Sequence, residues 1–422
     1  MLRSATAEPR LAYRHVMLAA SVLLFLVGMG GMFLLVVALK PMALDFGWPR
    51  TVPSLAFSLQ FIGGGTGGIL MGYWMDRAGA GRPAILGAIM LGTGTMLASR
   101  VDNMWELYLI YGVMLGFLGQ STLFTPLMTN VTLWFRENRG MALGIVASGQ
   151  SIAGVVWPPV FRYFNDAIGW RETFFWYGAL VLATMLPLSL LLQRRPPLPE
   201  LMRPAGEVPA KTARGRRRPG LAALGGISPN RLQLALCTAI VGCCVAMSLP
   251  LGHIVAHTSD LGFPLARGAE MLSLILGGSF LSRAFGGFMI IDRFGGLRSL
   301  FVFSGLQAAG MGLYAVVGDL VGLYLVSFLF GLGYGGINMC YPSIIRDFLP
   351  AGEAGRRMGL VTLFGAFGMA IGGWLGGFVF DLWGTYTPAF LIGMTFNVAN
   401  LAIVLTLVRL YRNSPRPAPA VA

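Results

Sequence analysis

The chain has 422 residues, of which 55% are hydrophobic and only 11% charged; soluble domains run at roughly 45–50% apolar and 25% charged, so an ordinary soluble protein is excluded. A net charge of +14, from 31 Lys and Arg against 17 Asp and Glu, would raise nucleic acid in a soluble chain, but here its placement between apolar runs answers otherwise. The four cysteines, Cys237, Cys243, Cys244 and Cys340, all fall within apolar runs, where thiols act as small packing residues. No metal or cofactor is expected.

A spanning helix needs about 20 mostly apolar residues. Such runs occupy residues 13–40, 52–74, 84–98, 107–133, 142–164, 174–192, 232–256, 269–291, 300–317, 320–345, 358–380 and 389–410. They are continuous and exceed the roughly 9–11 residues of a barrel strand. The expected fold class is therefore all-α integral membrane, with twelve transmembrane helices. The expected domains are an N-terminal six-helix bundle over 1–194, a cytoplasmic basic linker over 195–231 and a C-terminal six-helix bundle over 232–422. Assigning alternate loops to the two sides puts 24 of the 31 Lys and Arg on the side of both termini and the linker. By the positive-inside rule that side is the cytoplasm, which implies a multi-pass protein of the inner cell membrane. Arg3, Arg10 and Arg14 precede a first run too long for a cleaved signal, so it is read as a retained helix.

In chain order, the first helix is expected to end at Lys40-Pro41, with Lys40 snorkelling to the outer interface and Asp45-Phe46-Gly47-Trp48-Pro49-Arg50 forming an outer turn. The second helix carries Gln60 and a glycine patch over 63–68 suited to close helix contact. It closes with Asp76-Arg77-x-Gly79-x-x-Arg82, whose acid, basic groups and glycine suit a charge latch between helices. Gln120, Thr122 and Thr125 lie in the fourth helix, and Ser148 and Gln150 near the middle of the fifth. The linker contains Arg214-x-Arg216-Arg217-Arg218, which can meet anionic lipid at about 1 kcal/mol per charge near the surface. The seventh helix brings His253 and His257 at i, i+4; without a third ligand they read as a proton-sensitive pair more than a metal site.

The eighth helix holds Ser279, Ser282 and Arg283 in an otherwise apolar run. An arginine in hydrocarbon costs about 2.5–3.5 kcal/mol on insertion scales, so it marks a polar cavity or partner. The run closes with Asp292-Arg293-x-Gly295-x-x-Arg298, the earlier turn displaced by 216 positions (292 minus 76). Asp166-x-x-Gly169 recurs as Asp381-x-x-Gly384, displaced by 215, so the chain reads as a duplication. The tenth helix adds Tyr334 and Asn338 among glycines, and the eleventh adds Thr362.

Two six-helix halves and this loop motif after the second and eighth helices resemble the major facilitator superfamily. Within it the chain resembles the monocarboxylate transporters and the bacterial oxalate/formate-antiporter-like relatives. The residues that carry this are Lys40-Pro41 with Phe46-Gly47-Trp48-x-Arg50, Trp134-Phe135-x-x-x-Arg139-Gly140-x-Ala142-x-Gly144, Gly169-Trp170-Arg171 and Arg283. The resemblance implies pseudo-symmetric bundles, a site between them at the bilayer midplane, and an arginine at position 283 that binds a substrate carboxylate. Two residues depart from the animal members: Ser279 stands where they carry a proton-coupling aspartate, and Phe33 where they carry a lysine.

The function expected is secondary transport of small organic anions, monocarboxylates above all, by symport or antiport, with the protein working as a monomer. Arg283 would bind the carboxylate, with Gln120, Tyr334 and Asn338 lining the rest. Asp76, Arg77, Arg82, Asp292, Arg293 and Arg298 would serve conformational switching. An exporter of a neutral or amphipathic solute is the alternative, with Arg283 bonded to backbone or polar side chains. A membrane-embedded enzyme is not expected, because no midplane cluster of acid, histidine or cysteine offers a catalytic set.

Overall fold

The computed structural model describes residues 8–135, 139–194, 220–286, 290–350 and 353–413. The linker residues 195–219 and the side chains of Asp76 and Asp292 lie outside the described residues. The N-terminal half consists of α1 (Glu8–Phe46), α2 (Thr51–Ala78), α3 (Gly81–Ala98) and a continuous run of α4 (Met104–Leu109), the π-helix π1 (Ile110–Gln120) and α5 (Ser121–Trp134), followed by α6 (Arg139–Leu191). The C-terminal half holds α7 (Pro229–Asp260), α8 (Leu265–Gly286), the short α9 (Asp292–Phe294), α10 (Gly296–Val316), α11 (Leu320–Phe348), α12 (Ala354–Trp383) and α13 (Thr387–Asn413).

Among the described residues nine helices are long and apolar enough to cross a bilayer. Nine is fewer than the twelve passes expected from the sequence: α6 contains two passes, and the helices α3 and α8 stand outside the nine. The 53 residues of α6 break at Gly169, where φ is +83°. The chain there doubles back: the turn lies beside Phe46, with Trp170 6.0 Å from its ring, and the far end of α6 returns to the start of α1, where Tyr13 Oη donates to the Leu191 carbonyl at 2.6 Å.

Two boundaries differ from the sequence reading. The helix α1 continues through Pro41 to Phe46: proline removes one backbone bond, but buried Met42 and the stacking of Phe46 on Trp48 at 4.1 Å hold the last turn. The C-terminal bundle starts before residue 232, because Gly220 N–H donates to the Asp347 carbonyl at 3.1 Å and α7 begins at Pro229 behind a Ser228 N-cap.

The halves repeat in conformation as well as in letters. Gly79 (φ +80°, ψ 167°) ends α2 with its N–H on Met75 O, and Gly295 (φ +82°, ψ 159°) ends α9 with its N–H on Ile291 O. Asn103 caps α4 through Glu106 N–H at 3.0 Å, and Asp319, 216 positions on, caps α11 through Gly322 N–H at 2.7 Å. Pro126 and Pro342, again 216 apart, lie inside α5 and α11. Contact between helices is close because side chains are absent: a Cβ at Gly63 would stand 2.1 Å from the Gly112 carbonyl oxygen.

Within the halves α1 packs on α6, α2 on π1, α8 on α11, and α7 on α12 and α13. Between them α2 meets α12, α6 meets α8 and, more lightly, α1 meets α7. Gly79 and Gly295 combine a positive φ with ψ near 160°, a region open essentially to glycine alone, so alanine there costs about 1–3 kcal/mol. Gly79→Ala and Gly295→Ala should each lower the melting temperature of the detergent-purified protein. Gly305→Ala, in open space at an ordinary helical φ, should not.

Candidate functional site between the two halves

Arg283, on α8 of the C-terminal half, donates from Nη1 to Oε1 of Gln150 on α6 of the N-terminal half at 3.4 Å. Its guanidinium lies 5.5 Å from the Tyr334 ring centroid. Its Nε is buried without a partner, as are Ser279 Oγ and Ser282 Oγ on the same helix. Among the described residues no carboxylate pairs with Arg283. A permanently charged, planar donor set is thus held at the interface by neutral groups alone, an arrangement suited to a planar anion.

The other expected lining residues are divided. Tyr334 is buried beside Arg283. Asn338 is exposed and turns its Nδ2 back to the Tyr334 carbonyl at 3.1 Å. Gln120 ends π1, and its Nε2 reaches Met29 Sδ on α1 at 3.4 Å; a Cβ on Gly64 would sit 3.6 Å from its Oε1. Gln120 therefore belongs to the N-terminal half, and among the described residues no hydrogen bond joins it to Arg283. The π-helix has no counterpart in α11, so the halves differ where Gln120 is placed.

The expected switch residues lie at the end of the bundles nearest the termini. Arg77 bonds to Tyr73 Oη one turn back and lies over its ring at 4.2 Å. Arg82 is exposed, Arg293 lies 5.6 Å from the Phe294 ring, and Arg298 stands 6.0 Å from the Tyr411 ring. The two acids of this motif lie outside the described side chains.

His253 and His257 are buried in the C-terminal half against aromatic rings. The His253 ring lies 5.2 Å from Tyr386 and its Nε2 meets the Gly373 carbonyl at 2.8 Å. His257 lies 5.0 Å from Phe390. Among the described residues no group of three His, Cys, Asp or Glu could hold a metal.

The densest polar contact between the halves is at the end far from the termini. Lys40 Nζ donates to Ser259 Oγ and to Asp260 Oδ1, both at 2.8 Å. Arg50 forks onto the same carboxylate, with Nη2 2.7 Å from Asp260 Oδ1 and Nη1 on Oδ2. It also donates to Tyr386 Oη at 3.0 Å and stacks over Phe380 at 3.6 Å. Burial opposes the Arg50 charge, and its bonds to Asp260 and Tyr386 more than restore it, so its pKa lies above the ordinary arginine value.

Asp381, at the end of α12, accepts the backbone N–H groups of Arg50 and Thr51 at 2.8 and 2.7 Å. It thereby caps the N-terminus of α2, where orphan N–H groups and the helix dipole favour an anion. Among the described residues, every hydrogen bond between the halves lies at this end or at the Val155 and Gln150 levels of α6. None lies nearer the termini.

The sequence reading missed this latch. In the sequence Lys40 reads as an interface residue, Arg50 as part of a motif and Asp381 as a repeat marker, and their spacing pairs neither cation with an acid. The available signal was Asp260, which stands 215 positions after Asp45. Two cavities lie elsewhere. One, of 430 Å³, is lined by Ser99, Arg100, Asp102, Arg171, Glu172 and Phe175; the other is an apolar groove of 400 Å³ along α6, α8 and α11. Arg283 lines neither.

Comparison with known proteins agrees with the fold. Residues 20–356 and 234–422 match the profile of the Major Facilitator Superfamily. Monocarboxylate transporter 13 of Bos taurus is 25% identical over 330 residues, covering 77% of this chain and 73% of its own length. Monocarboxylate transporter 11 of Homo sapiens is 26% identical over 379 residues, covering 87% and 75%. A crystal structure of the nucleoside transporter NupG superposes with a TM-score of 0.73 at 14% identity, covering 93% of this chain and 99% of that one, which is a likeness of fold.

The latch makes a direct prediction. Removing the Asp260 carboxylate leaves Lys40 and Arg50 as adjacent unpaired cations, so Asp260→Ala should open the far end. Spin labels at Leu44 and Leu382, which are 74% and 59% exposed on opposite halves, should show a new, longer distance population in pulsed electron resonance. An unchanged distribution would reduce the latch to surface decoration.

Proposed function

Because the chain belongs to the major facilitator superfamily, we propose that it is a secondary transporter of small organic anions, monocarboxylates foremost, working as a monomer by alternating access of its two halves. The observation that carries this reading is Arg283: a fixed cation at the interface of the halves, with neutral groups around it and no carboxylate partner among the described residues. A substrate carboxylate supplies the missing charge through two parallel N–H···O bonds. The monocarboxylate transporters among the relatives support the substrate class at 25–26% identity.

The far-end latch corresponds, on this reading, to a state closed on the outside and open toward the cytoplasm. The orientation follows from the 24 of 31 Lys and Arg on the side of the termini. Exchange of one anion for another is easier than net movement, since the return of an empty site carries an unneutralised guanidinium through a low-dielectric interior. The Gln150 bond also favours a second reading, in which Arg283 is a packing residue of an exporter for a neutral or amphipathic solute.

The two readings part on one measurement. In thermal-shift titrations of the purified protein with L-lactate, oxalate, formate and benzoate, at least one carboxylate should stabilise the wild type. Arg283→Lys, which keeps the charge but loses the fork, should weaken that binding by about tenfold or more, equivalent to roughly 1.4 kcal/mol. Arg283→Ala should abolish it. Stabilisation of Arg283→Ala equal to wild type would leave only the exporter reading. A reporter fused to the C-terminus should be active only in its cytoplasmic form.

A further inference from the structure

The bond from Arg283 to Gln150 joins the two halves at the level of the guanidinium. Between α6 and α8, Ser273 Oγ donates to the Val155 carbonyl at 3.0 Å, and Arg283 Nη1 meets Gln150 Oε1 at 3.4 Å further along. The two helices therefore run antiparallel across the interface, with polar contact at both levels. At the second level Gln150 supplies the only hydrogen-bond acceptor that the described residues offer the guanidinium. The Tyr334 ring centroid lies 5.5 Å from the guanidinium, and Arg283 Nε, Ser279 Oγ and Ser282 Oγ are buried without partners.

We propose that Gln150 is the resting partner of Arg283: its amide oxygen holds the guanidinium while the site is empty and gives way to the carboxylate of the transported anion. The proposal rests on the carboxylate reading above. A neutral amide oxygen is a weaker acceptor than a carboxylate, and a 3.4 Å bond is readily exchanged, so the anion displaces it. With no anion present, the amide spares the guanidinium from crossing with no acceptor at all, the costly condition for a buried charge. Gln150 is thus a positioning residue for the return of the empty carrier, and the loaded carrier has no need of it. This also moderates the preference for exchange: an arginine without an acid would favour strict exchange, whereas an amide partner permits slow net movement.

The test separates two fluxes in proteoliposomes holding the full chain, with radiolabelled L-lactate, oxalate and benzoate as probes. Exchange is measured with the same anion on both faces, and net efflux into anion-free buffer. Gln150→Leu and Gln150→Met keep the side-chain volume and lose the acceptor. They should leave exchange within about threefold of wild type and slow net efflux about tenfold or more, the change expected when a hydrogen bond to a charged group is lost. Gln150→Glu adds a fixed counter-charge that competes with the anion, and should weaken probe binding about tenfold or more.

Equal losses of exchange and net efflux in both the Leu and Met variants, or no loss in either, overturn the proposal. So does a wild type that exchanges a probe with no net efflux at all. Failure of the underlying reading looks different: wild type exchanges none of the three probes, or Arg283→Ala exchanges them as wild type does. In that case the resting partner falls with it, whatever the Gln150 variants show.

Discussion

A guanidinium keeps its charge at any physiological pH, and that one fact constrains the architecture around position 283. Insertion of an isolated arginine into hydrocarbon costs several kcal/mol, so its surroundings must offer it something polar. Here the offer comes from the opposite half: Gln150 reaches Arg283 across the interface of α6 and α8. The charge therefore sits where two bundles meet and not inside either, which is the place a membrane transporter can expose first to one side and then to the other. The glycine-based contact between helices within each half complements this, since bundles that are tight internally move as bodies.

The far-end latch has the energetics of a contact meant to break. Its side chains are 11% exposed at Arg50, 21% at Lys40 and 22% at Asp260. Such pairs fall between exposed ion pairs, worth about 0.2–1 kcal/mol, and fully buried ones, whose disruption costs about 3–5 kcal/mol. Swinging a two-state equilibrium from 1:99 to 99:1 takes about 5.5 kcal/mol. A fork from Arg50, a second cation at Lys40 and the Asp381 cap on α2 act at one end of the same interface. They can hold one state without locking it beyond the reach of substrate binding.

Much of the fold was legible because membrane crossing imposes long, continuous apolar runs, and because the duplicated loops at Asp76 and Asp292 fix the register of the halves. The structure gives that duplication a physical basis in Gly79 and Gly295, two non-adjacent glycines held at nearly the same positive φ. Arg283 was legible for the same reason in reverse, as the charge that an apolar run does not tolerate without cause. The latch was not. Asp260 and Asp381 stand at run ends, where an acid reads as a solvated turn residue, and only the folding of the halves against each other brings them to Lys40 and Arg50. Gln150 was visible as a midplane amide, but a polar midplane residue is as often interhelical glue. Only the distance to Arg283 distinguishes it.

The repeat also shows how an asymmetric machine can be built on a symmetric scaffold. Asp45 and Asp260 occupy equivalent positions, as do Asp166 and Asp381, each pair 215 residues apart. In the N-terminal half both acids are used locally: Asp45 faces Arg171 at 3.6 Å, and Asp166 bonds Arg162 one turn back on its own helix. Their C-terminal counterparts both reach across the interface, Asp260 to Lys40 and Arg50, and Asp381 to the start of α2. The C-terminal half thus supplies the acids and the N-terminal half the cations and the helix end that receive them. At the level of Arg283 the polarity is reversed: the C-terminal half gives the cation and the N-terminal half the acceptor, Gln150. Each half therefore both donates and accepts, at two different depths. When the far end separates, the contact at Arg283 is the polar link that remains between the halves among the described residues, apart from the Ser273 bond to Val155 on the same pair of helices. On the anion-transport reading proposed above, its occupant, amide or anion, is then well placed to decide which way the pair turns next.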